Sequence, residues 1–127
     1  MKIHSLDHIA ITVKDVRALV RWYEEVLGLK QPVARNAWGP IPILVLTEAG
    51  NGIALFPSES ELKQGNTLMH IAFLVDYKDL ETAKARLDTK GIASEFQDHV
   101  STHSLYFFDP DGYEIELTAP NPAYVQQ

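Results

Sequence analysis

The chain has 127 residues, 46% hydrophobic and 22% charged, with a formal net charge of −6 and no cysteine. That length and composition suit one compact globular domain with a real core, and the missing cysteine excludes disulfides, thiolate metal ligands and a cysteine nucleophile. The acidic balance excludes a nucleic-acid partner, because phosphate neutralisation needs clustered Lys and Arg.

Lys84, Arg86 and Lys90 are interleaved with Asp79, Glu81 and Asp88, which makes a solvated helix face rather than a basic patch. The first residues have no apolar core of a signal peptide, and the apolar run from Ile41 to Leu46 is short and broken by Pro42. A soluble cytoplasmic protein with no membrane segment is expected.

Leu6 to Val13 alternates as a strand, with Ile9, Ile11 and Val13 on one face and His8, Ala10 and Thr12 on the other. Asp15 is placed to cap a helix running to Leu27. Its apolar stripe is Val16, Leu19, Val20, Tyr23 and Leu27, and Gly28 supplies the stop. Three short strands follow near Lys30 to Val33, Ile43 to Thr47 and Gly52 to Phe56, the last two joined by a Gly50-Asn51-Gly52 turn. Ser58 to Asn66 is a polar linker. The order then repeats: a strand from Leu68 to Val75, and a helix from Tyr77 to Lys90 with Leu80, Ala83 and Leu87 inward and Gly91 as the stop. Strands follow near Ala93 to Gln97, Ser104 to Phe108 and Tyr113 to Thr118, with Asp109-Pro110-Asp111-Gly112 as the last hairpin turn. Asn121 onward is a tail. The expected fold is α+β: a single domain of two βαβββ modules, about residues 5–57 and 67–120, forming a cupped mixed sheet with one helix per module.

The modules carry a repeated chemistry. His8 in Asp7-His8-Ile9-Ala10 and His70 in Met69-His70-Ile71-Ala72 are separated by 70 − 8 = 62 residues. The last strand carries Glu116, whose counterpart at that offset is 116 − 62 = 54, an alanine. Ala10 and Ala72 beside the histidines leave room for a ligand. Two imidazoles, one carboxylate and one vacant position make the donor set of a divalent-metal site with open coordination positions. Glu114 shares the face of Glu116 and is the rival carboxylate, but it lies closer to the turn.

On His8, His70 and the run from Asp109 to Leu117, the chain resembles the vicinal oxygen chelate superfamily. That superfamily includes glyoxalase I, type I extradiol dioxygenases, fosfomycin-resistance transferases, methylmalonyl-CoA epimerase and metal-free bleomycin-binding proteins. The resemblance spans roughly Leu6 to Pro120 and implies that His8, His70 and Glu116 are the metal ligands. Ala54 stands where glyoxalase I usually has a glutamate and the epimerases a glutamine; alanine neither binds metal nor moves a proton. Ala10 stands where the fosfomycin enzymes commonly have a hydroxyl or thiol. The extradiol enzymes have a tyrosine ten residues before the metal glutamate, here 116 − 10 = 106, which is Tyr106. Their acid–base histidine precedes that tyrosine; His99 is the nearest candidate and His103 the other.

The resemblance thus implies an extradiol-type oxygenase on a catecholic or other bidentate small molecule. Fe(II) is the favoured ion, with Mn, Ni or Zn as alternatives, and His99 and Tyr106 are the catalytic pair. A glyoxalase-like lyase or isomerase, a thiol transferase, and a non-catalytic antibiotic-binding protein are the competing classes. Extradiol enzymes of this type usually have two pairs of modules where this chain has one, so a homodimer, with shared or swapped sites, is expected to complete the pocket. Trp38 is a candidate pocket lid, or else a core or interface residue.

Overall fold

A computed structural model of the chain describes residues 2, 5, 6, 8–31, 43–58 and 70–124. These fall in two compact units, Met1–Gln64 and Gly65–Gln127. The first contains β1 (His8–Val13), α1 (Val16–Leu27), β2 (Ile43–Leu46) and β3 (Gly52–Pro57). The second contains β4 (Ile71–Leu74), α2 (Lys78–Thr89), β5 (Glu95–Asp98), β6 (Thr102–Phe108) and β7 (Glu114–Pro120). The sheet orders are β1-β3-β2 and β4-β7-β6-β5, each with one parallel pair, so the fold is α+β with the βαβββ pattern repeated.

The repeat is exact to the residue in register. β1 pairs with β3 through Ala10↔Ala54, and β4 with β7 through Ala72↔Glu116, an offset of 62 on both strands. Leu44↔Ala54 in the first sheet corresponds to Tyr106↔Glu116 in the second at the same offset. The helices obey it too, since 16 + 62 = 78 and 27 + 62 = 89. The strand expected near Lys30 to Val33 is reduced, within the described residues, to a single bridge between Lys30 and Leu46. Trp38 and most of the linker lie outside the described residues.

Local chemistry explains the element boundaries. Asp15 has extended backbone, and its Oδ1 accepts from the Ala18 amide at 3.1 Å, so one orphan donor of the first turn is satisfied. Gly28 closes α1 in the left-handed region, its amide donating to the Glu24 carbonyl. α1 buries Leu19, Val20, Tyr23 and Val26; Val26 completes a stripe that the sequence pattern had placed on Val16 and Leu27, both only half-buried. α2 has no side-chain cap, but Asp79 and Glu81 in its first turn complement the helix dipole. Along β1, Ile11 and Val13 are buried while His8, Ala10 and Thr12 face outward, the expected alternation.

Two hairpin turns set the registers. In the first, the Thr47 amide donates to the Asn51 carbonyl, and Thr47 Oγ1 donates to Asn51 Oδ1, both at 2.9 Å. In the second, Asp109 Oδ1 accepts from the amides of Asp111 and Tyr113, each at 2.9 Å. This buried carboxylate does for β7 what a capping residue does for a helix. No helix among the described residues is long and apolar enough to cross a membrane.

Gly52 opens β3 under the opposite strand. A Cβ there would be driven into the Val45 carbonyl oxygen and would stand 2.9 Å from Leu46 Cα, both backbone atoms. Gly52→Ala should therefore cost about 2–3 kcal/mol through forced displacement of β2. Asp15→Ala should cost about 1 kcal/mol through the lost cap. Urea unfolding of the two variants checks both the magnitudes and their order.

Candidate metal and proton-transfer site

The last hairpin of the second unit presents a polar face. In its register Tyr106 lies opposite Glu116, Ser104 opposite Thr118 and Phe108 opposite Glu114. Even-numbered residues of β6 and β7 thus share one face. Odd-numbered Leu105, Phe107, Ile115, Leu117 and Ala119 are buried on the other. Glu116 lies deep in the sheet, only 8% exposed, and its two carboxylate oxygens have different neighbours. Oε1 stands 3.2 Å from His70 Nε2. Oε2 accepts from Ser104 Oγ at 2.7 Å. His70 immediately precedes β4, which runs parallel to β7, and its Nδ1 is 3.9 Å from Glu114 Oε1.

Two donors each about 2.1 Å from one ion, at an octahedral or tetrahedral angle, stand about 3.0–3.4 Å apart. The 3.2 Å between His70 Nε2 and Glu116 Oε1 matches that spacing. An imidazole nitrogen and a carboxylate oxygen also suit a borderline divalent ion chemically. His8 occupies the equivalent place in the first unit, as the first residue of β1. Among the described residues no three His, Asp or Glu side chains form a complete ion-binding group.

Tyr106 borders this pair on one side and His99 on the other. Its hydroxyl is 3.0 Å from His99 Nε2, and its ring meets the His70 ring edge-on at 6.2 Å. Burial, together with the hydrogen bond and negative charge of Glu116, raises its pKa above the ordinary 10.0. The phenol therefore keeps its proton throughout the physiological range. His99 is held at the tip of the β5–β6 hairpin. There its amide donates to the Thr102 carbonyl, and Val100 takes φ = 71°, a strained conformation for a β-branched residue. Asp98 Oδ1 accepts from the Val100 amide and Asn121 Nδ2 donates to the Val100 carbonyl, pinning the turn.

His103 points to the opposite, helix-facing side of β6. Its Nδ1 pairs with the Tyr77 hydroxyl at 2.9 Å, Nε2 lies 3.3 Å from Asp98, and its ring packs edge-on against Phe96. Of the two candidate acid–base histidines, His99 is the one in contact with Tyr106. Ser104 and Thr118 escaped the sequence reading as site residues. The available signal was period two: Ser104 is a small polar residue two positions before Tyr106, at the head of the apolar and aromatic run Leu105 to Phe108.

The raised pKa of Tyr106 stabilises the fold fully below pH 10, where the unfolded phenol is also protonated. That contribution is lost as pH rises through the higher folded value. Glu116→Gln removes the carboxylate charge, so the Tyr106 transition in metal-free protein should move down toward 10.0 and remain above it because burial persists. Ultraviolet phenolate titration, with Tyr106→Phe identifying the transition, measures the shift.

Residues 5–117 match the family model of the Glyoxalase/Bleomycin resistance protein/Dioxygenase superfamily. The chain is 30% identical to glutathione transferase FosA of Serratia marcescens, covering 91% of this chain and 80% of that protein. It is 32% identical to catechol-2,3-dioxygenase of Bacillus subtilis over 94% of this chain, but spans only 44% of the dioxygenase. Among solved structures, VPC_CASS1 from the mobile metagenome of V. pseudocholerae superposes with a TM-score of 0.70 at 29% identity, over 94% of this chain and 96% of that one. The polar hairpin face, the module repeated at a fixed offset and the match across almost all of the sequence agree, and the chain belongs to the glyoxalase, bleomycin resistance protein and dioxygenase superfamily, the vicinal oxygen chelate proteins.

Proposed function

We propose that the chain is a metal-dependent oxygenase of the extradiol type, acting on a catechol or another small molecule with two adjacent oxygens. The observation that carries this reading is the 3.0 Å contact between His99 Nε2 and Tyr106 Oη beside the His70–Glu116 pair. A proton-transfer pair next to two metal donors is what ring cleavage at a chelated diol requires.

The proposed ligands are His8, His70 and Glu116, with Ala54 at the fourth position supplying no donor. These residues would hold a divalent metal, Fe(II) by preference, which would supply redox chemistry and open coordination positions. Tyr106, kept neutral by burial and by Glu116, donates a hydrogen bond to the substrate oxygen on which charge develops. His99, exposed at the hairpin tip, exchanges a proton between the phenol and solvent. With its proton on Nε2 it donates to Tyr106 Oη and frees the phenol proton for substrate; with Nε2 bare it accepts from the phenol. A homodimer completes the pocket wall.

The second reading is thiol transfer to a small oxygen-rich electrophile. It is favoured by the FosA relative, most of whose length this chain spans. That chemistry needs the same three ligands but makes no demand on His99.

Metal analysis of protein purified without oxygen, followed by O2 uptake on a catechol panel after Fe(II) loading, tests the proposal. Substrate-dependent O2 consumption supports it. Absent uptake, with Mn(II)-dependent consumption of glutathione in its place, moves the assignment to the transferase. Glu116→Ala should lose metal and turnover together. Tyr106→Phe should keep metal and lose about 10²–10³-fold in kcat. His99→Ala should lose about 10²-fold or more, with a changed pH profile.

A further inference from the structure

Ser104 has no assigned role, yet its side chain is placed with unusual economy. It is fully buried, and its hydroxyl lies 2.7 Å from Glu116 Oε2 and 3.1 Å from Thr118 Oγ1, with the Tyr106 hydroxyl also in hydrogen-bond reach. A serine hydroxyl has one proton and two lone pairs, and an ionised carboxylate only accepts. The Ser104 proton therefore belongs to Glu116, and the 3.1 Å contact is made by the Thr118 hydroxyl donating to Ser104 Oγ. The result is a directed chain, Thr118 to Ser104 to Glu116, ending in a short charge-assisted bond.

That bond engages one specific oxygen. Oε2 is held by Ser104, and Oε1 is the oxygen 3.2 Å from His70 Nε2. Without the serine proton the bond that holds Oε2 is lost, and the Tyr106 hydroxyl alone is left to restrain a terminal torsion that is broad and poorly discriminating. From this geometry we infer that Ser104 is a positioning residue, backed by Thr118, which fixes Glu116 so that Oε1 alone is presented beside His70 for metal. The inference rests on the metal-site reading above and deepens it. Partners of metal ligands commonly orient them, and their loss weakens metal affinity about 10–100-fold. The first unit corroborates the dependence. Where the second unit has Tyr106 opposite Glu116, it has Leu44 opposite Ala54, both fully buried in an apolar cluster with Leu46. There the carboxylate is absent, and its place is taken by apolar packing.

The test is anaerobic titration of metal-free protein with Mn(II) alone, reading free ion by electron paramagnetic resonance, on wild type, Ser104→Ala, Thr118→Val and the double variant. Ser104→Ala should bind Mn(II) about 10-fold or more weakly with circular dichroism unchanged. Thr118→Val should lose only a few-fold. The double variant should match Ser104→Ala, because Thr118 acts through the serine and the two losses do not add. Ser104→Thr, which returns a hydroxyl, should recover most of the affinity. Wild-type affinity in Ser104→Ala, or additive losses in the double variant, would overturn the positioning role while leaving the metal site standing. A wild type that binds Mn(II) no better than Glu116→Ala would instead remove the metal site itself, and the positioning role with it.

Discussion

The register between β6 and β7 is the constraint on which the second unit depends. It is set by the Asp109 carboxylate, which accepts two amides of the turn and leaves Tyr106 opposite Glu116. A slip of one residue would turn Glu116 and Tyr106 toward α2 and bring Ile115 and Phe107 to the polar face. Burying a carboxylate is costly unless its oxygens are paired. The observed register meets that condition with Ser104 on one oxygen and His70 beside the other. Site and fold thus rest on the same pairing. The residues that make Glu116 tolerable in the sheet are those that aim it.

The two units use one backbone plan for two purposes. Strand pairing and helix position repeat at a single offset, and the buried odd-numbered face is aliphatic in the first sheet and aliphatic with Phe107 in the second. They differ on the other face. Leu44, Leu46 and Ala54 make a small apolar cluster in the first, while Tyr106 and Glu116 with Ser104 and Thr118 make a hydrogen-bonded one in the second. A duplicated scaffold permits this because packing against the helix secures each unit, which frees the opposite face to be apolar or chemically active.

In the proposed function, proton exchange and metal binding would fall on different parts of the second unit. His99 sits on a strained turn at the open end of a hairpin, where solvent can exchange its proton, and Tyr106 carries the contact inward to Glu116. His103, an odd-numbered residue of β6, lies on the face opposite even-numbered Tyr106 and is occupied with Tyr77 and Asp98. Strain at Val100 is tolerated because Asp98 and Asn121 hold the turn from both sides.

The sequence by itself determined the α+β class, both helices, the first with its Asp15 and Gly28 boundaries, both hairpin turns, the alternation of the strands and the correspondence of His8 with His70. All of these are local or periodic signals: capping chemistry, turn residues and alternation act within a few positions of the residues that show them. Tyr106 was reached through the family resemblance, which implies a tyrosine ten residues before the closing glutamate, and the hairpin register sets the two opposite one another. Tertiary structure alone decided which oxygen of Glu116 faces His70, that Ser104 and Thr118 support it, and that His99 rather than His103 meets Tyr106. Those facts depend on side-chain direction and on contacts between strands brought together by the fold, and a hydrogen bond between residues 12 apart leaves no periodic trace in the chain.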